Sequence, residues 1–228
     1  MTSIDNLSLF EFNEHEQTTN FETMHVKRIN YQTAKTVIEP NHYLGKLGST
    51  AMAFGAYIDN EIAGAMTFGT IPSPNASGIC GPHHKHKVYE LTRLYMYDWA
   101  GKNAESKFIG EVFRQLKPYA MHNGGLIIIS YADTEAGHVG QIYQATNFIY
   151  TGESVAQKVV TETGEILHSR VASDSRRGMS SAGMQRISTP PKHRYIKFIG
   201  DKSQIKTFNN DLRWQRLPYP KPETNHDN

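Results

Sequence analysis

The sequence predicts a single-domain α/β fold with a central mixed sheet flanked by helices. Three observations predict it: an apolar run without alternation at Leu126–Ile129, a strand–helix–strand–helix–strand order from Val88 onward, and a length of 228 residues, which suits one well-cored domain. Boundaries are expected at a polar lead-in over 1–24, a catalytic domain over 25–172, and a basic extension over 173–228 that packs on it.

Residues up to about Glu22 are rich in Asn, Thr and Glu and read as a loosely held lead-in. Tyr31 to Ile38 predicts a helix that stops before Pro40, and Asn41 to Leu44 follows as a loop. Ala51 to Ile58 and Glu61 to Gly69 predict a hairpin across an Asp59-Asn60 turn. Ile71 to Lys87, with three prolines, two glycines and the His83-His84-Lys85-His86 cluster, predicts a loop throughout. Successive loop histidines seldom converge on one ion, so this cluster is not taken as a metal site.

Val88 to Tyr97 alternates as a strand with one cored face and one aromatic, functional face from which Arg93 projects. Asn103 is expected to cap the next helix, Phe108, Ile109, Val112, Phe113 and Leu116 to line its buried side, and Pro118 to end it. Ser106 stands in its first turn, where free backbone N–H groups and the helix dipole attract anions. After the Leu126–Ile129 strand, polar residues crowd its carboxyl end at Ser130, Tyr131, Asp133 and Thr134, the edge where open α/β sheets place ligands. Asp133 or Thr134 is expected to cap a helix on which Val139, Ile142, Tyr143 and Thr146 share one face, and Asn147 stands where the helix must exit through a left-handed residue. A hairpin around Thr163-Gly164, a strand at Arg194 to Ile199 and an aromatic-basic close from Leu212 to Lys221 complete the pattern.

The single cysteine, Cys80, excludes an intramolecular disulfide framework and suits a reducing compartment. Without a leader-like N-terminus or a membrane-length apolar run, the expected location is soluble and cytoplasmic. The net charge of +2 hides an asymmetry: five acids and no Lys or Arg precede Lys27, whereas 12 Lys/Arg face 5 Asp/Glu from Arg170 onward. A basic end of this kind suits phosphate or an ordinary solvated surface. Trp99, Tyr195, Trp214 and Tyr219 add stacking surface or hydrophobic anchors.

The order strand, anion-binding turn and helix, central strand, then helix with a Tyr143-Gln-Ala-Thr-Asn147-Phe148 corner resembles the GNAT-type N-acetyltransferases. More narrowly, His42-Tyr43, Glu90-Leu91-Thr92-Arg93-Leu94, Asn103-Ala-Glu-Ser106, Ser130-Tyr-Ala-Asp-Thr134, Gly137-His-Val-Gly140 and Pro191-Lys-His-Arg-Tyr195 together resemble the Mom family of bacteriophage DNA-modification proteins, from about Tyr31 to Lys221. The resemblance implies an enzyme that converts the N6 amino group of adenine in phage DNA to a carbamoylmethyl derivative and so blocks host restriction. It implies functional roles for Arg93, Ser106, Asp133 and Tyr143, donor binding at Asn103 and Ser106, and an Fe(II) site of His42, Tyr43 and Asp133. Its partners would be double-stranded DNA with a flipped adenine and a small-molecule donor, with no membrane. The acetyl-CoA loop Arg/Gln-x-x-Gly-x-Gly/Ala is replaced by Trp99-Ala-Gly-Lys-Asn103, which calls ordinary acetyl-CoA use into question. A conventional acetyltransferase and a non-catalytic DNA-binding relative are the alternatives.

Overall fold

The structure, a computed structural model, describes residues 23–71, 73–154, 157–161, 163–164, 166–168, 184–188 and 190–221. The lead-in before Thr23 and most of the Ser/Gly/Arg-rich stretch lie outside these. A seven-stranded mixed sheet orders its strands as residues 25–28, 52–58, 61–70, 88–96, 126–133, 192–199 and 149–154, and a three-stranded antiparallel sheet as 166–168, 157–160 and 185–188.

Strand β1 (His25–Arg28) edges the sheet, α1 (Tyr31–Ile38) follows, and β2 (Met52–Ile58) and β3 (Glu61–Thr70) form the expected hairpin. Asp59 and Asn60 both have positive φ, at 50° and 69°, which is the conformation a two-residue hairpin turn demands and Asn and Asp tolerate. Asn30 caps α1, its side chain accepting the Thr33 N–H at 2.8 Å. The segment expected to be all loop instead contains a short helix, α2 (Pro74–Ser77), and a 3-10 turn over Pro82–Lys87. Each begins with a proline at a helix start, where its fixed φ and missing N–H cost nothing, so the same residues that signalled a loop start these turns.

β4 (Val88–Met96) is interrupted by a bulge: Thr67 pairs Arg93 but Phe68 pairs Leu91, leaving Thr92 extra. The simple alternation expected along this strand therefore breaks at Thr92. Leu91 and Met96, of opposite parity, pack in one core, whereas Val88 packs in another.

α3 (Ala104–His122) continues past Pro118, which loses a single backbone bond in the helix's last turns, and ends at Gly124 and Gly125, both at positive φ. Asn103 is itself left-handed at φ 68° and makes no capping hydrogen bond, contrary to expectation.

β5 (Leu126–Asp133) is a central strand with Ile127, Ile128 and Ile129 fully buried. It pairs in parallel with β4 only over Val88–Glu90 and Ile127–Ile129. Beyond that the two strands part, and the gap between them opens the site described below. α4 (Gln141–Ala145) is shorter than the sequence suggests, and neither Asp133 nor Thr134 caps it. Gly137 and Gly140 take left-handed φ of 70° and 75°, and a Cβ on Gly140 would lie 2.4 Å from the Tyr195 ring. Asn147 ends the helix at φ 57°, as its place in the sequence requires.

β6 (Ile149–Ser154), β7 (Gln157–Val160), β8 (Ile166–His168), β9 (Gln185–Ser188) and β10 (Lys192–Ile199) follow, then α5 (Lys202–Asp211). β10 sits between β5 and β6 and pairs antiparallel with both, so the C-terminal segment supplies an interior strand of the main sheet instead of packing on a finished domain.

One face of the sheet is covered by α3 and α4, with Phe108, Ile109, Val112 and Tyr143 against Leu126, Ile128 and Tyr195. The other is covered by α1 over β2 and β3, and by α5 with the residue 74–87 segment over β5 and β10. No helix among the described residues is long and apolar enough to cross a membrane.

Candidate active site

Where β4 and β5 part, a cleft of about 1810 Å³ opens, lined by residues from the His42–Leu44 loop, β4, the end of β5, the Gly137–Tyr143 turn and helix, and the start of β10. His42, Tyr43, Arg93, Asp133 and Tyr143 all line it. Chain segments far apart in sequence are brought together there because the sheet inserts β10 next to β5, which aligns Lys192 with Asp133.

Asp133 is the polar centre. Its residue is 7% exposed, and its carboxylate accepts from Lys192 Nζ at 2.5 Å, from the Glu135 backbone N–H at 3.1 Å and from Tyr43 Oη at 3.5 Å. Burial alone would push its pKa up, but the Lys192 ammonium and the two other donors outweigh that and hold it below the usual range, so the carboxylate is ionised at neutral pH.

Tyr143 faces the same cleft from α4 while its ring belongs to the core, packed at 5.2 Å from Phe148 and 5.3 Å from Tyr195. Burial pushes its phenol up to about 12, with the Ser130 hydroxyl acting in the opposite direction. Ser130 Oγ is buried without a hydrogen bond of ordinary geometry, so it acts on Tyr143 as a nearby polar group more than as a bonded partner. A phenol so placed stays protonated, so it can give a proton or hydrogen bond and does not serve as a base.

Tyr195, fully buried, fixes the turn before α4: its hydroxyl donates to the Val139 carbonyl at 2.5 Å and accepts from Gln144 Nε2 at 3.2 Å. It is a core pillar and offers no stacking surface. Trp214 lies beneath the Arg194 guanidinium, 3.5 Å from its ring centroid, while Trp99 is 45% exposed and stacked on Tyr97.

Arg93 donates from Nε to the Lys46 carbonyl at 2.8 Å and from Nη1 to its own strand's Thr92 carbonyl at 2.6 Å. It thus ties the His42–Ser49 loop to β4 while keeping a face on the cleft. Within that loop His42 stacks on Tyr43 at 4.5 Å, and its Nδ1 accepts the Leu44 N–H at 3.2 Å. Burial, then the nearby Arg93 and His138, lower its pKa to about 4, so the imidazole is neutral.

Ser106 and Asn103 fall elsewhere: Ser106 is half-buried in the first turn of α3, Asn103 is exposed, and neither lines the cleft. Glu105 does line it, and a carboxylate at that helix start disfavours a second anion.

No local feature marks Lys192 for a role, although it lies within the Pro191–Tyr195 block. Its pairing with Asp133 spans 59 residues and depends on strand register, which has no local signature. His138, whose ring lies 6.2 Å from Tyr43, stands in the same position.

Strand, turn and helix, diverging central strand, then a helix carrying a cleft-facing tyrosine define a mixed α/β protein with a polar cleft at the tip of its central strands. The chain belongs to the Mom protein family, whose sequence profile matches residues 23–221. It is 26% identical over 209 residues to the methylcarbamoylase Mom of Escherichia phage Mu, covering 87% of this chain and 84% of that protein. Among solved structures, similar ones include an IAA acetyltransferase from Bacillus cereus ATCC 14579 (12% identical, TM-score 0.41, 77% of this chain and 99% of that one). Another is the spermidine/spermine N-acetyltransferase SpeG from Vibrio cholerae (10% identical, TM-score 0.44, 82% and 98%).

Proposed function

We propose that this enzyme modifies adenine in phage DNA, placing a carbamoylmethyl group on N6, and that the product shields the DNA from restriction. The observation that carries the reading is the ionised, buried Asp133 at the end of β5, in one cleft with the protonated Tyr143. The name of the phage Mu relative points to the same chemistry.

An adenine N6 inside a stacked duplex is out of reach of a buried carboxylate, so the base is flipped into the cleft. There Asp133 accepts a hydrogen bond from the exocyclic amine and takes its proton as the N6–carbon bond forms. The methylene carbon of the donor loses its leaving group together with the bonding pair, and Tyr143 donates a hydrogen bond or proton to that group. Lys192 keeps Asp133 oriented and charged until the substrate arrives. Lys85, Arg194 and Arg213 also line the cleft and offer cationic groups to the phosphates on either side of the flipped base. The donor is a small molecule other than acetyl-CoA, in keeping with the Trp99–Asn103 turn and with Glu105.

The alternative activation in the same cleft is an Fe(II) site at His42, Tyr43 and Asp133, in which Asp133 would serve as a ligand and not as the base. Their donor chemistry fits a non-haem ion: a neutral imidazole, a phenol and a carboxylate, with two of the oxygens 3.5 Å apart and Lys192 as the cation that would yield its place. Such an ion would supply a Lewis acid to polarise the donor.

Mass spectrometry of hydrolysed DNA from cells expressing the intact chain or its Asp133→Ala variant tests this. The expected result is a carbamoylmethyladenine nucleoside only with the intact chain. Its absence despite soluble expression would overturn the proposal, and acetylation of a small amine without DNA would favour a conventional acetyltransferase.

A further inference from the structure

A second cluster of ligating side chains lies apart from Asp133, on the outer flank of the wall formed by the 3-10 turn. His83 and His84 are adjacent in the Pro82–Lys87 turn, and Asp211 is the last residue of α5. His84 Nε2 lies 3.0 Å and His83 Nε2 3.5 Å from the same Asp211 oxygen, and all three donor atoms fall within 4.8 Å of one another. Neighbouring histidines seldom aim at one point. Here the tight 3-10 geometry brings the two rings to 4.1 Å at an angle of 52°, while Phe208, one turn earlier on α5, packs edge-on against His84 at 5.0 Å and fixes its ring.

We infer that His83, His84 and Asp211 form a binding site for one divalent transition-metal ion of the zinc class, which clamps α5 to the turn that walls the cleft. Metal–ligand bonds of about 2.0–2.2 Å separate tetrahedral donors by roughly 3.2–3.6 Å, close to the two nitrogen–oxygen distances of 3.0 and 3.5 Å. Two imidazole nitrogens and one carboxylate match a borderline ion, not calcium or magnesium, which prefer oxygen. The ligand side chains are graded in exposure, at 8% for His84, 35% for Asp211 and 65% for His83, so the ion has an entry path and room for water as its remaining ligand.

Lys87, whose charge acts on His84, turns to donate to the Gly124 carbonyl at 2.8 Å. Cys80, whose Sγ donates to the Phe208 carbonyl at 3.5 Å, is engaged elsewhere. Pro82 and Lys85 of the same turn line the cleft, so the clamp would set the position of one cleft wall. This inference does not depend on the adenine chemistry.

The test uses the full chain carrying His42→Ala and Asp133→Ala, which removes the other candidate ligand set. The protein is stripped with chelator and titrated with Co(II), followed by visible absorption, and with Zn(II), followed by thermal unfolding. One equivalent of Co(II) should bind with ligand-field bands, and Zn(II) should raise the unfolding midpoint. Adding His83→Ala, at an exposed position that leaves packing intact, should abolish both signals. Asp211→Asn should do the same while circular dichroism stays native. No binding in the doubly substituted background, or binding that survives His83→Ala, would overturn the inference.

Discussion

Asp133 and Asp211 are both carboxylates at the end of a secondary-structure element, and both face cationic or titratable nitrogen, yet the surroundings give them opposite characters. Asp133 is buried against the Lys192 ammonium, which helps hold its carboxylate in the charged form, and it lines the cleft. Asp211 is half-exposed beside His83 and His84, and burial lowers the His84 pKa despite the hydrogen bond that Asp211 accepts. A carboxylate that already owns a cation is suited to receive a proton or orient a substrate amine. One shared by two imidazole nitrogens suits an added cation.

The largest expected effect breaks the first half of that comparison. Asp133→Asn keeps the shape and the Glu135 backbone contact but removes the charge that Lys192 and the adenine amine both use. DNA modification should fall by about 10²–10⁴-fold, the usual worth of a positioned general base. Measured as carbamoylmethyladenine per genome at equal expression, a loss below tenfold would move the base role to another residue.

Tyr143→Phe comes next. With its phenol held near 12, Tyr143 is a donor throughout the working pH range, and removing it should cost about 10²-fold in rate while leaving DNA affinity unchanged, since the ring still packs on Phe148 and Tyr195. Equal losses in binding and rate in a gel-shift and turnover comparison would show a purely structural role.

Lys192→Met sharpens the contrast through stability. Leaving Asp133 buried without its cation should cost about 1–2 kcal/mol, toward the low end for such pairs because the Lys192 side chain is 37% exposed and water screens it. The sign with pH follows from Asp133's depressed pKa. In the intact chain that stabilisation is present above the unfolded value of 3.8 and is lost as pH falls below it. In the variant, burial is no longer outweighed and the carboxyl protonates at higher pH, so the deficit against the intact chain should be largest at pH 7 and shrink toward pH 4. Chemical denaturation at pH 7 and pH 4 would check both.

These effects depend on contacts that differ greatly in how far they could be read from sequence. The β2–β3 hairpin was legible because Asp59-Asn60 demands one turn type, and β5 because four consecutive aliphatic residues have only one home. Asn147's left-handed exit was legible for the same local reason. α5 went unread because Lys202–Asp211 has only Ile205 and Phe208 as apolar residues, yet the Asp201-x-x-Gln204 capping box was present to mark its start. Asp133 and Tyr143 could be placed at a sheet tip and a helix beside it. Lys192 could not be joined to them, since the insertion of β10 between β5 and β6 is a choice made by the whole sheet. His83, His84 and Asp211 were hidden by the same kind of distance: 127 residues separate the second histidine from its carboxylate.

The smallest effect probes the Asp211 region directly through Cys80. Its thiol is fully buried, and burial first, then the negative field of Asp211, push its pKa up to about 12 against the opposing Arg213. Only the thiolate reacts, so disulfide-exchange reagents at pH 8 should label the native chain very slowly and the guanidinium-unfolded chain at once. The linkage has the sign of a raised acid: this contribution to stability is whole below the unfolded thiol's pKa and is lost as pH rises from there toward 12. Because burial is the larger cause, Asp211→Asn should quicken native labelling only slightly, and Zn(II) at the His83–His84–Asp211 site should do the same by neutralising that carboxylate. A large acceleration by Asp211→Asn would mean that Asp211 governs the access of solvent to this core, and that its contacts hold the fold together more than they tune the local field.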